Sequence, residues 1–352
     1  MQYPGNKIKV LIVDDSMLYR EILARGLASD PGIEIVATAR DAFEARDMIL
    51  AHRPDVMTCD VAMPRMDGIA FIRQLLPQYP LPVIVVSTVS EAVFEAMNAG
   101  AVDFVAKPDM GAVKDVETFI REMIEKVKIA SSAQVVRLEK EVVKRTLDDG
   151  KRENRYQVIA IGASTGGTEA IHQLLSGLPA SLPGIVIVQH IPPVFSRMFA
   201  QRLNATTGFQ VKEAAAGDWV EPGKALLAPG DQHMKIKRVG ERYRVECFAG
   251  EKVNGHCPSV DVLFESVARE AGDKAVGIIL TGMGYDGAKG LLAMRKSGAR
   301  TLGQDEKSSV VYGMPKVAYN IGAVEKQTPL GNMAKSLLAL LSGGGASPRN
   351  PL

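Results

Sequence analysis

The chain has 352 residues, too many for one ordinary hydrophobic core, so two domains are expected. Hydrophobic residues make up 46% and charged residues 23%, a globular composition, and a formal net charge of +2 gives no field strong enough to draw in nucleic acid or a membrane surface. No apolar leader or run of membrane-spanning length is present, and three unpatterned cysteines, Cys59, Cys247 and Cys257, argue against a disulfide framework or a zinc site, so a cytoplasmic protein without membrane insertion is expected.

The first third alternates two patterns. "IKVLIVDD", "EIVATA", "PDVMTCD", "PVIVVST" and "DFVAKP" read as strands. Between them "LYREILARGLAS", "AFEARDMILAHR", "GIAFIRQLL" and "EAVFEAMNAG" space apolar residues three and four apart, as a helix with one buried face requires. Five such alternations predict a five-stranded parallel sheet of doubly wound, flavodoxin-like type. A last helix starts near Asp115, and no Gly or Pro interrupts the chain before Gly150. The apolar rhythm falters at Ser131-Ser132, so residues 1–129 form the first unit and 130–155 a charged, helix-prone linker.

From Gln157 a second alternation begins. Its strands are "QVIAIGAS", "GIVIVQH", "KALLAPG", "AVGIILTG" and "RTLGQ"; its helices are "TEAIHQLLSGL", "SRMFAQRLNATT", "VDVLFESVAREAG", "DGAKGLLAMRKSG" and "NMAKSLLALLS". "MKIKRVGERYRVECF" turns at Val239-Gly240 and reads as a β-hairpin inserted into an otherwise doubly wound, mainly parallel α/β domain over 156–342, with 343–352 a frayed tail.

Ligands of open parallel sheets bind beyond the carboxyl ends of the strands. In the first unit those ends carry Asp14 and Asp15, Asp60, Ser87-Thr88 and Lys107. Clustered carboxylates need a cation, and hard oxygen donors suit Mg²⁺. A metal, an ammonium and a hydroxyl would together neutralise an incoming phosphoryl group and leave one carboxylate to attack it. "VDDS", "CDVAMPRMDG", "ST" and "KP" resemble the response-regulator receiver domain over residues 7–128. The resemblance implies that a histidine kinase phosphorylates Asp60, that Asp14, Asp15 and Asp60 hold Mg²⁺, and that Thr88 and Lys107 sense the phosphoryl group.

In the second unit "GASTGG" lacks the Lys that a phosphate-binding loop needs, and its glycines at 162, 166 and 167 miss the dinucleotide spacing. It matches the G-x-S-x-G nucleophile turn, a weak pattern alone, and a plain glycine turn is the competing reading. A serine nucleophile needs a base and an acid to orient it. His190 closes the strand "GIVIVQH", whereas His172 lies mid-helix and His233 and His256 are expected at the surface. Asp286 follows the strand "AVGIIL", with Asp231, Asp261 and Asp305 as competitors; Asp261 reads as first-turn decoration of a helix.

"IGASTGG", "QHIPPVF", "APGDQHM", "PSVDVLF" and "LTGMGYDGAKG" are similar to the catalytic domain of the chemotaxis protein-glutamate methylesterases over residues 155–341. The resemblance implies a Ser164, His190, Asp286 triad with Thr165 and Met283 bordering the oxyanion pocket. It implies hydrolysis of glutamate γ-methyl esters and deamidation of some glutamines on chemoreceptors, a chemotaxis histidine kinase as phosphodonor, no cofactor for the ester chemistry, and a receiver that blocks the esterase until phosphorylated. A binding module without catalysis and a metabolite esterase are the rival readings. A DNA-binding output is disfavoured by the near-neutral charge and by the lack of a helix-turn-helix pattern.

Overall fold

The computed structural model describes residues 7–88, 90–108, 113–134 and 156–342. The chain divides into two compact units, Met1–Arg137 and Leu138–Leu352. No helix among the described residues is long and apolar enough to cross a membrane.

In the first unit the order is β1 (Ile8–Val13), α1 (Met17–Ala28), β2 (Ile33–Ala39), α2 (Ala42–His52), β3 (Val56–Asp60), α3 (Gly68–Leu75), β4 (Val83–Ser87), α4 (Ser90–Asn98), β5 (Asp103–Ala106) and α5 (Val113–Ala130). The sheet runs β2-β1-β3-β4-β5 and every pairing is parallel. β3 and β4 are buried along their whole length, which is why neither reads as apolar-polar alternation. Side chains start the helices where the backbone would leave N–H groups unpaired: Asp41 accepts from Phe43 N and Glu44 N, and Asp67 accepts from Ala70 N.

α5 stops at Ala130 for a local reason. The Ser131 and Ser132 hydroxyls donate back to the Lys128 and Ile129 carbonyls, competing with the helix ladder where the apolar rhythm fails. The rest of the linker, 135–155, and the tail, 343–352, lie outside the described residues.

The second unit continues with β6 (Val158–Ala163), α6 (Gly167–Ser176), β7 (Gly184–Gln189), α7 (Pro193–Thr206), β8 (Gln210–Glu213), β9 (Trp219–Val220), β10 (Lys224–Leu227), β11 (His233–Val239), β12 (Arg242–Phe248) and α8 (Val260–Glu270). It closes with β13 (Ala275–Ile279), α9 (Ala288–Lys296), β14 (Arg300–Gln304), α10 (Met314–Asn320), β15 (Lys326–Thr328) and α11 (Leu330–Ser342). Seven strands form one parallel sheet in the order β15-β14-β13-β6-β7-β10-β8.

The anticipated hairpin is β11–β12, with Val239 paired to Arg242 across Gly240-Glu241; β9 adds a third antiparallel strand. Its inward residues, Met234, Ile236, Tyr243 and Val245, join the same core as α8 and the sheet. β8, β9, β15 and α10 are elements the sequence pattern did not announce. β8 is an edge strand with one buried residue, Val211, β9 and β15 have two and three residues, and α10 has seven with a Pro in its first turn.

The strand order places β6 between β7 and β13, so the chain leaves β6 toward one side of the sheet and returns later to build the other side. This is the switch point at which open α/β sheets form their crevice. α8 covers it, with Phe264 fully buried in the core. Phe264→Ala should lower the stability of this unit by about 3–5 kcal/mol, since the removed ring leaves a cavity; urea unfolding measures it, and an unchanged midpoint would contradict the packing.

Candidate functional site

In the first unit side chains from the carboxyl ends of β1, β3 and β5 meet. Lys107, just beyond β5, places Nζ 2.8 Å from Asp14 Oδ2 and 2.7 Å from Asp60 Oδ2, and all three side chains are buried. Asp14 Oδ1 accepts from Ser16 N, and Asp60 Oδ1 accepts from Ala62 N. Oxygens of Asp14, Asp15 and Asp60 lie within 4.8 Å of one another, with Asp15 exposed. Thr88 follows Ser87 at the end of β4 and is exposed.

Burial holds the Asp14 carboxyl above its usual range, with Lys107 opposing that and the Asp60 charge adding to it. Burial alone would lower the Lys107 pKa, but Asp14 and Asp60 outweigh it and hold the ammonium charged. Three carboxylates around one ammonium leave net negative charge among hard oxygen donors. A divalent cation such as Mg²⁺ fits that donor set, with Asp15 on the solvent side. Tyr19, which the sequence reading did not single out, lies against the pocket: Lys107 Nζ is 4.5 Å from its ring centroid, and its hydroxyl donates to Pro108 O.

In the second unit Ser164 and His190 follow neighbouring strands directly, since Ala163 of β6 pairs with Gln189 of β7. His190 N donates to Ala163 O, and Gln189 Nε2 donates to the carbonyls of both Ser164 and His190. Ser164 N donates to Thr281 O, just beyond β13. The loop after β13 therefore flanks Ser164 on the other side. It does so closely: a Cβ on Gly282 would lie 2.6 Å from Ser164 Cβ, so only glycine fits. Gly166, at φ 74, closes the turn into α6. Thr165 is buried and Met283 exposed, on the two loops that flank Ser164.

His190 Nε2 lies 2.9 Å from Asp286 Oδ2, while its Nδ1 is buried with no hydrogen-bond partner. Asp286 is the most densely bonded carboxylate of the site. Its Oδ2 accepts from Val260 N at 2.7 Å, and its Oδ1 accepts from Ser259 Oγ at 2.7 Å, Asn254 Nδ2 at 2.8 Å and Asp261 N at 3.2 Å. Asp286 thus caps α8, binding N–H groups that Ser259, the formal cap residue, leaves free. Burial pushes its carboxyl up, but His190, Asn254 and Ser259 outweigh that and hold it well below the usual carboxylate range.

Two sequence-level expectations are corrected here. His256 is only half-exposed: its ring stacks on His190 with centroids 3.7 Å apart and planes 12° from parallel. His233 is buried, with Nε2 against Glu251 O and Nδ1 accepting from Ser259 N. Asp261 does sit in the first turn of α8, yet it is buried, accepting from Gly290 N and Asn254 Nδ2, and its carboxyl is raised chiefly by burial. The competitor Asp305 instead binds Ser308, and Asp231 is exposed at φ 57. His172 faces Glu169 on its own helix. His256 reads as a surface residue in the sequence because two strand ends and a return loop meet only in three dimensions.

Burial, with the neighbouring His190 and Lys252 charges and against Asp286, pushes the His256 imidazole down from 6.5 to about 4. The unfolded chain therefore takes up this proton first. Its contribution to stability is complete above about pH 6.5 and is lost as the pH falls toward about 4. His256→Phe keeps a planar ring that cannot protonate, so urea midpoints measured across that window should fall less steeply than in the wild type.

Family models match both halves of the chain: a response regulator receiver domain at residues 10–116 and CheB methylesterase at 159–337. A protein-glutamate methylesterase/protein-glutamine glutaminase of Syntrophomonas wolfei is 60% identical, over 96% of this chain and 98% of its own length. One from Salmonella typhi is 47% identical over 97% and 99%. The solved catalytic domain of Thermotoga maritima CheB methylesterase, 34% identical, covers 53% of this chain and 98% of its own at a TM-score of 0.51. The chain belongs to the CheB methylesterase family, in its form with a response-regulator receiver domain ahead of the esterase domain.

Proposed function

We propose that this enzyme hydrolyses glutamate γ-methyl esters, and deamidates some glutamines, on chemoreceptors in the cytoplasm, through Ser164, His190 and Asp286, and that phosphorylation of Asp60 by a chemotaxis histidine kinase activates it. The observation that carries the triad is the state of His190. One nitrogen is engaged by Asp286, and the other is buried and unpaired on the strand end beside Ser164.

Ser164 Oγ attacks the ester carbonyl carbon and passes its proton to His190 Nδ1. Asp286, kept ionised by the donors around it, holds Nε2 and steadies the imidazolium. The carbonyl oxygen becomes an oxyanion, held by the amides of Thr165 and Met283 beside the positive end of α6. When the intermediate collapses, the C–O bond to the methoxy group breaks and His190 returns the proton, releasing methanol. Water, deprotonated by His190, then attacks the acyl-serine; the C–Oγ bond breaks, His190 returns the proton to Ser164 Oγ, and the glutamate carboxylate is freed. With glutamine the leaving group is ammonia.

In the receiver domain, residues 1–129, Asp60 would take the phosphoryl group, and Asp14, Asp15 and Asp60 would hold Mg²⁺, which when bound supplies charge neutralisation at the phosphoryl oxygens. Lys107, charged and already between two carboxylates, is placed to pair with the added group, and the Thr88 hydroxyl to donate to it. A phosphoryl group adds about −1.5 to −2 charge, enough to rearrange this balance. Residues 130–155 would connect this domain to the esterase domain, 156–342.

Two outcomes test the reading. Methanol release from methylated receptor membranes should fall at least about 10³-fold in Ser164→Ala; a retained rate would overturn the serine mechanism. Asp60→Asn should lose stimulation by a small-molecule phosphodonor. Normal stimulation of that variant would overturn control by Asp60.

A further inference from the structure

The loop from Val253 to Pro258 touches both partners of the proposed base–acid pair. Asn254, at φ 54, and Gly255, at φ 85, fold it back, and Val253 and His256 exchange both backbone hydrogen bonds at 3.0 Å. Asn254 Nδ2 donates to Asp286 Oδ1 and to Asp261 Oδ2, pinning the loop to two buried carboxylates. From that anchored turn His256 lies flat on His190 at a ring separation of 3.7 Å. One short loop thus grips the acid with one side chain and covers the base with another.

The stack supplies what the carboxylate cannot. A single hydrogen bond from Asp286 fixes one nitrogen but leaves the His190 ring free to tilt and swing about that contact. A second ring in van der Waals contact over the whole face blocks that motion, because off-plane rotation drives the two rings together. The direction of Nδ1 then becomes as well defined as that of Nε2.

We propose that His256 is a positioning residue for the ester hydrolysis: its stacked ring holds the plane of His190 so that Nδ1 faces Ser164 while Nε2 stays on Asp286. This rests on the triad reading above. The role requires a neutral ring, since a neutral π face accommodates an imidazolium beneath it and a second cation would repel it. Burial and the proximity of His190 keep His256 neutral through the physiological range. The charged or titratable groups that act on it are His190 at the end of β7, Asp286 ahead of α9 and Lys252 on its own loop.

The test uses the full chain and separates kcat from KM for methanol release. His256→Ala should lower kcat about 10- to 100-fold, the scale of a misplaced catalytic group, with KM changed less than about threefold. His256→Phe, flat but without ring nitrogens, should restore kcat to within about threefold of wild type. A wild-type kcat in His256→Ala overturns the proposal, as does a Phe variant as impaired as the Ala variant. Should His256→Ala fail to fold, His256→Leu against His256→Phe makes the same comparison. A His190→Ala arm separates the two levels. If that variant stays active, the triad reading has failed; if it is inactive while His256→Ala is normal, only the positioning role has failed.

Discussion

The esterase half of the chain is organised around one buried carboxylate. Asp286 accepts from two backbone N–H groups at the start of α8, from Ser259 and Asn254, and faces His190. Ionised carboxylates are costly to bury unless their lone pairs are met by donors, and here both oxygens are met more than once. The helix start gains a cap, the carboxylate is kept charged, and the imidazole it faces is given a fixed tautomer. The same interaction is therefore structural and chemical. A residue with only one of those duties would leave either α8 uncapped or His190 undirected.

That carboxylate can be met only because of where the strand order reverses. β6 lies between β7 and β13, so Ser164, His190 and the loop carrying Asp286 come off three adjacent strands at one edge. Backbone bonds between Ser164 and Thr281, and between His190 and Ala163, lock the strand ends together before any side chain is considered. Close approach is then a requirement, and Gly282 beside Ser164 answers it. The hydroxyl is presented on a scaffold of paired strands and not on a free loop, which is the support that catalytic geometry needs.

Much of this was legible from residue order. Strand ends in an α/β alternation are countable, so Ser164, His190 and Asp286 in one half, and Asp14, Asp60 and Lys107 in the other, could be named before any contact was known. What periodicity could not carry lay in two places. Short or edge elements such as β8 and β15 bury too little to leave an apolar rhythm. The loop from Val253 to Pro258 has no periodicity at all, and its importance comes from where the hairpin delivers it. His256 read as an ordinary surface histidine because nothing in "VNGHCP" says that a β-hairpin returns it onto the ring of a residue 66 positions earlier. Asp261 sits in the first turn of α8 as the sequence suggests; its burial, with Gly290 N donating to it from α9, is what periodicity does not reveal.

The two pockets use the same edge of the same kind of sheet and balance charge in opposite ways. In the receiver pocket, Lys107 is shared by Asp14 and Asp60 with Asp15 close by, so carboxylates outnumber the ammonium. Such a site responds strongly when charge is brought in, because every member must re-pair. In the esterase domain Asp286 has both oxygens met by donors, and His190, which it faces, keeps one nitrogen open. Donors hold that charge framework still, which is the condition for electrostatic preorganisation. The two pockets are thus built from similar side chains, and the difference lies in how many donors surround each acid.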